Sequence, residues 1–287
     1  MTATSVIMSA LTLAATSGDL PVNGGVRLPE SLVGNPLVEE WDTPYQTPPF
    51  SEIELAHYEP AFDYAIAVNR AEVEAIINNP EAPTFENTIV AMTESGELLG
   101  RVAGLFFVLN NCSTSDEMQQ IAMNITPKLT ELENDISLNP ELFARVKAVY
   151  DQRKKLKLDE QDMQLLEDTY KGFARSGALL EGRDKELYRE HSSELAQLTL
   201  KFGQNAQAAT NAFSYNITDP AKVEELPAFV KEGLAAEAEA RGQEGWTVTL
   251  QAPSYGPFMT YSSQRDLKEQ LYKAYNTRGV GGENDNM

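Results

Sequence analysis

The sequence predicts a mainly α protein, a multi-helix array with one small two-stranded β element. Three features carry this expectation. Apolar residues recur every three or four positions through most of the chain after residue 84, short polar start signals precede several of these runs, and only two segments alternate in the strand period. With 287 residues and 42% apolar content, the chain can bury the core of one large or two small domains.

In chain order, residues 1–34 read as a leader or disordered segment and 35–287 as one helical domain. The apolar run at 6–15 lacks a basic flank and is too short to span a bilayer. Residues 18–51 are rich in Gly, Pro and Asn, with Pro44, Pro48 and Pro49 crowded together, so irregular structure is expected. From Thr84, the residues Phe85, Ile89, Met92, Leu99, Val102, Phe106 and Leu109 fall on one helical stripe. Ser115 opens a second, through Met118, Ile121, Ile125, Leu129, Leu132 and Ile136.

Asn139-Pro140-Glu141 combines an N-cap side chain, a proline in the first turn and an acid at the positive dipole end; Phe143, Val146 and Tyr150 follow on one face. The basic run Arg153-Lys154-Lys155-Leu156-Lys157 then fits a helix C-terminus. Asp159 opens a helix carrying Met163, Leu166, Tyr170 and Phe173. The longest helix is expected over 184–212, with Leu187, Leu195, Leu198 and Phe202 facing inward. Residues 213–218 and 246–250 have strand character and flank a helical stretch at 220–241. A last helix starts at Ser263 and carries Leu267, Leu271 and Tyr275. No fixed-period repeat is present, which argues against a solenoid.

Composition excludes several functions. Lys and Arg number 23 against 43 Asp and Glu, a net charge of −20 that repels nucleic-acid phosphates, and no segment reads as a membrane span. Cys112 is the single cysteine, so no intrachain disulfide or multi-cysteine metal site is available; it is expected as a small buried side chain at a helix end. A His-Glu-x-x-His zinc site needs two histidines one turn apart, and neither His57 nor His191 has such a neighbour. His57 is expected to cap or pack at a helix start, and His191, between Leu187 and Leu195, to sit in the core. Glu54 and His57 form one Glu-x-x-His pair, but Tyr188 stands where a second pair would need its glutamate. From the residues alone, no catalytic residue and no metal ligand are assigned.

A resemblance adds what this chemistry lacks. The block Pro253-Ser254-Tyr255-Gly256-Pro257-Phe258-Met259-Thr260-Tyr261, then Arg265, 271–279 (Leu-Tyr-Lys-Ala-Tyr-Asn-Thr-Arg-Gly) and 281–286 (Gly-Gly-Glu-Asn-Asp-Asn), resembles bacterial peptidyl-dipeptidases of the thimet oligopeptidase family of zinc metallopeptidases. Earlier segments resemble the same family, among them Trp41-Asp42-Thr43-Pro44, His57-Tyr58-Glu59-Pro60-Ala61-Phe62, Pro83-Thr84-Phe85-Glu86-Asn87-Thr88 and Leu138-Asn139-Pro140-Glu141-Leu142-Phe143. The matches run in order from about residue 35 to residue 287.

The resemblance implies the N-terminal, non-catalytic helical half of an enzyme that removes C-terminal dipeptides from oligopeptides. This half would form one wall of the substrate channel. Zinc would belong to the full-length enzyme and not to this chain, whose partners would be the C-terminal catalytic half and short peptides, with self-association of the separated region. Candidate channel-wall residues are Tyr255, Tyr261, Arg278, Gly281 and Gly282. The resemblance implies a cytoplasmic protein, or a periplasmic one if residues 1–20 are a leader remnant. It also makes the stretch 277–287, a helix start signal, the linker and N-cap of a following helix. The alternative is an autonomous acidic helical binding or interaction module.

Overall fold

The computed structural model describes residues 22–287, so the run at 6–15 and the leader reading of residues 1–20 lie outside the described residues. By their internal contacts the described residues form two compact units, divided between Glu194 and Leu195, where the sequence suggests one domain from 35 on.

In the first unit, ordered structure begins before residue 35. Strands β1 (Val22–Asn23) and β2 (Val26–Arg27) pair antiparallel across Gly24 and Gly25, whose φ of 53° and 83° suit a tight two-residue hairpin turn. Leu28 and Leu32 are buried just after it. Three single 3₁₀ turns follow, the last ending at His57, and then α1 (Tyr58–Ile77). Half of α1's twenty residues are buried, including Ala61, Phe62, Ala65 and Val68. Exposed Pro60, Asp63, Ala67, Arg70 and Glu74 fall on one narrow stripe, so neighbouring elements must cover most of the helix.

The stripe expected from Thr84 to Leu109 is two pieces. A π-helical turn, Phe85–Val90, leads into α2 (Ala91–Glu94), and α3 (Glu97–Cys112) starts afresh after Gly96. Gly96 has φ 78°, and a Cβ there would lie 2.9 Å from the Asn69 amide nitrogen, so both backbone and packing demand glycine. Phe106 of α3 meets Tyr58 and Phe62 of α1 edge-on, at centroid distances of 5.0 and 5.6 Å. Cys112 does end α3, but it is exposed and not buried as the sequence suggests.

The capping signals act as expected. Ser115 caps α4 (Asp116–Ser137) through the Met118 N–H, Asn139 caps α5 (Pro140–Gln152) through those of Glu141 and Leu142, and Asp159 caps α6 (Glu160–Arg175) through Asp162. The basic run follows α5 as a 3₁₀ turn, Arg153–Lys155. A core of Val73, Ile76, Phe85, Ile89, Leu142, Val146, Leu166 and Phe173 binds α1, the π turn, α5 and α6. Asp135 of α4 accepts hydrogen bonds from Arg70 of α1 and from Arg189, which lies in the first turns of α7 (Gly182–Ala212).

The second unit contains the expected β element. β3 (Ser214–Ile217) pairs antiparallel with β4 (Trp246–Thr249), in the register Ser214 to Thr249 and Ile217 to Trp246. Between them lies α8 (Ala228–Ala240), and after β4 come α9 (Ala252–Tyr261) and α10 (Arg265–Asn276). Nothing in the sequence pattern announces α9, because Pro253, Gly256 and Pro257 are breakers. Pro253 is tolerated in its first turn, and the Ser254 hydroxyl accepts the Thr249 N–H, tying the helix start to β4. Ile217, Val230, Leu234, Val248, Leu250, Phe258, Leu267 and Leu271 form this unit's core.

The α7 stripe differs from expectation. Leu187 is half-buried, but Leu195, Leu198 and Phe202 are exposed by 64%, 55% and 60%. His191 is exposed as well, 4.0 Å from Glu194.

Two stability experiments follow. Gly245 has φ 90°, and a Cβ there would fall 2.3 Å from the Ile217 carbonyl oxygen. Gly245→Ala should therefore lower unfolding free energy by about 2–3 kcal/mol in urea titration. Gly233→Ala, in the open interior of α8, should instead raise it by about 0.5–1 kcal/mol. The partial burial of Asp135 works to raise its pKa, but the Arg70 and Arg189 hydrogen bonds outweigh it and hold the carboxyl below its ordinary range. A depressed folded pKa contributes stability above the unfolded pKa and loses it as pH falls through the folded one. Asp135→Asn should thus be less stable at neutral pH, with a flatter loss of stability than wild type below about pH 4.

Candidate functional site

The sequence-derived candidates all lie in the second unit, where local chemistry brings only some of them together. α9 carries Tyr255 and α10 carries Tyr275, and the two rings stack at 4.3 Å with 17° between planes. The Arg278 guanidinium lies over the far face of that pair, 3.7 Å from the Tyr275 centroid. It is fixed twice more: Nε donates to the Tyr275 carbonyl at 2.9 Å, and Nη1 donates to Thr210 Oγ1 on α7 at 3.1 Å. Burial pushes the Tyr255 phenol up from its ordinary value, and the neighbouring Tyr275 and Tyr272 add to this. Tyr255 and Arg278 are therefore the ends of one Tyr–Tyr–Arg stack, with Tyr275, which the resemblance does not single out, as its middle member. The signal for Tyr275 is available in sequence, since it precedes Arg278 by one helical turn.

Tyr261 stands apart from the stack. It is 48% exposed and meets Phe229 of α8 edge-on at 5.9 Å. Gly281 and Gly282, with φ of 75° and 79°, shape a closing loop whose Asp285 carboxylate accepts from the N–H groups of Gly281 and Met287. Those backbone hydrogen bonds, with Gly281's the largest, hold the Asp285 carboxyl below its usual range. Asn286 returns the loop to α7: its Nδ2 donates to the Phe202 carbonyl, and its Oδ1 accepts from Asn205 at 2.9 Å. Residues 277–287, a helix start signal in sequence, thus fold as a hydrogen-bonded loop.

The residues do not fit a zinc ion. Among the described residues, no three His, Cys, Asp or Glu side chains cluster as ligands. His57 Nδ1 accepts the Glu54 N–H at 3.0 Å, completing the capping box of the 3₁₀ turn Leu55–His57 that leads into α1, which is the capping role expected of it. His191 and Cys112 are exposed and separate. No described helix is long and apolar enough to cross a membrane.

The described residues thus present an aromatic–arginine stack on an α-helical scaffold. No family model matches the chain. It is 36% identical over 253 residues to a dipeptidyl carboxypeptidase of Salmonella typhimurium, a match covering 87% of this chain and 37% of that protein. It is 37% identical over 248 residues to a dipeptidyl carboxypeptidase of Escherichia coli, covering 85% and 36%. Oligopeptidase A of Salmonella typhimurium matches at 30% over 244 residues, covering 85% and 35%. The chain is similar to these peptidases across most of its own length, in line with the thimet oligopeptidase resemblance of its motifs. It spans a little over a third of the length of the relatives it matches.

The stack is testable as structure. Arg278→Ala removes the ring contact and the bond to Thr210, and should lower stability by about 1–2 kcal/mol in denaturant titration. Tyr261→Ala, half exposed with one edge contact, should stay within about 1 kcal/mol of wild type.

Proposed function

We propose that the chain is the non-catalytic helical portion of a zinc metallopeptidase that removes C-terminal dipeptides from oligopeptides, and that it forms one wall of the substrate channel. The observation that carries this is the pair of dipeptidyl carboxypeptidase relatives, at 36–37% identity, matched across about 85% of this chain but little more than a third of their own length. The higher identity to these than to oligopeptidase A, at 30%, favours dipeptide release over internal cleavage. The chain's own chemistry agrees with a supporting role, because its histidines and cysteine are dispersed.

The exposed stripe Leu195, Leu198 and Phe202 supports a covering partner. These three side chains lie one or two turns apart on one face of α7, and each is more than half exposed. A row of large apolar residues left in water is unfavourable by about 25 cal/mol for each Å² that could be buried. In this reading the rest of the peptidase covers the stripe, and the same stripe drives self-association when this chain is alone.

The experiment is complementation. The chain alone should bind no stoichiometric zinc and should leave a blocked tripeptide intact. Co-expressed with the unmatched portion of the Escherichia coli dipeptidyl carboxypeptidase, it should restore chelator-sensitive release of C-terminal dipeptides. Leu198→Glu with Phe202→Glu should lower that restored activity by about tenfold or more while leaving the chain's helical circular dichroism unchanged. Chelator-sensitive hydrolysis by the chain alone would overturn the proposal, as would unimpaired complementation by the double variant for the covering face.

A further inference from the structure

A cavity of about 390 Å³ opens in the first unit, with Thr84, Phe85 and Glu86 from the start of the π-helical turn on one side and Gln152, Leu156 and Lys157 after α5 on the other. That volume falls in the range of small-ligand sites, about 300–1,000 Å³. Both walls are fixed by contacts of their own. Arg145 donates to the carbonyls of Asn79 and Glu81 and to Asn87 Oδ1, which pins the segment that carries Thr84. Arg153 lies over the Tyr150 ring and donates to its carbonyl, which pins the turn that leads to Lys157. Walls held in this way need little ordering when a ligand enters.

The lining divides by chemistry. Phe85 and Val149 are buried and Leu156 and Leu158 half-buried, which gives the cavity an apolar side. Glu86 and Lys157 are exposed and carry opposite charges, yet neither side chain has an ion pair or a hydrogen bond among the described residues. Two neutral groups each keep one bonding capacity. The Thr84 hydroxyl accepts the Asn87 N–H and retains its own proton to donate. The Gln152 amide nitrogen donates to the Ala148 carbonyl, which leaves its oxygen as an acceptor. The cavity thus offers a cation and a donor for an anion, and an anion and an acceptor for a cation.

We propose that this cavity binds a free α-amino acid with an apolar side chain. The side chain sits against Phe85, Val149, Leu156 and Leu158. The carboxylate meets Lys157 and the Thr84 hydroxyl, and the ammonium meets Glu86 and the Gln152 oxygen. Other small ligands leave a charge unanswered. An apolar carboxylate would set its anion in a cavity shared with Glu86, an apolar amine would set its cation beside Lys157, and a hydrocarbon would answer neither. The inference stands on these residues and does not rest on the peptidase reading.

Isothermal titration of the 287-residue chain with leucine, N-acetyl-leucine and leucine amide tests it. Leucine should bind one to one. Loss of the cation in N-acetyl-leucine, or of the anion in leucine amide, should each weaken binding by about tenfold or more, and so should loss of the side chain in glycine. The two charges separate crosswise. Glu86→Gln should erase the preference over N-acetyl-leucine and keep that over leucine amide, and Lys157→Gln should do the reverse. Both positions are exposed, so neither variant should disturb the fold, which the melting temperature checks. No leucine binding by wild type, equal binding of the three ligands, or variants that leave both preferences unchanged would each overturn the proposal. Leucyl-leucine binding as tightly as leucine would overturn the choice of a single amino acid.

Discussion

The first unit depends on one constraint: α1 must be covered everywhere except along one narrow stripe, where Pro60, Asp63, Ala67, Arg70 and Glu74 are exposed. Ala61 and Ala65 are small enough to admit neighbouring backbones, and Phe62 between them is fully buried. A helix buried this way needs partners on several sides, and α3, α4 and α5 all pack on it. Its polar requirements become strict for the same reason. The His57–Glu54 box satisfies backbone donors of the 3₁₀ turn that leads into it, and the Asp135 carboxylate holds Arg70 on the exposed stripe.

The parts of the fold legible in sequence are those decided within a few residues. Ser115, Asn139 and Asp159 each cap a helix because a short acceptor side chain reaches backbone N–H groups two or three positions on, whatever the rest of the chain does. The β3–β4 pair is legible for a similar reason, since strand alternation is local. Burial is not a local property. The periodicity of Leu195, Leu198 and Phe202 correctly gives a helix face, but periodicity cannot say whether anything covers that face. His191 and Cys112 fail as core residues on the same ground, since their placement was inferred from apolar neighbours in sequence. The break at Gly96 is hidden because apolar spacing happens to continue across it, and α9 is hidden by prolines that its first turns can accommodate.

The candidate site divides along the same line. Tyr255 and Arg278 come from segments 23 positions apart, so their shared stack becomes visible only when α9 and α10 are in place. Tyr261 and the pair Gly281–Gly282 belong to the same family-like block, yet folding sends them to a different aromatic contact and to a closing loop. Family resemblance therefore identified a block of residues and not a constellation.

The Tyr–Tyr–Arg stack has a counterpart in the first unit, and the comparison explains why cations lie where they do in so acidic a chain. Arg153 lies 3.9 Å over the Tyr150 ring, its Nη1 donates to the Tyr150 carbonyl at 3.0 Å, and Tyr150 stacks on Tyr170 at 3.9 Å. Arg278, Tyr275 and Tyr255 repeat each contact at the end of α10. In both cases an arginine three residues after a tyrosine meets three demands with one side chain. It satisfies a carbonyl left open at a helix C-terminus, places positive charge at the negative end of the dipole, and covers an aromatic face that stacking alone would leave bare. An arginine so occupied has its guanidinium spread against a ring and its donors committed. The basic run at 153–157 thus begins with a residue spent on the fold, which is the structural form of the C-terminal reading drawn from its sequence.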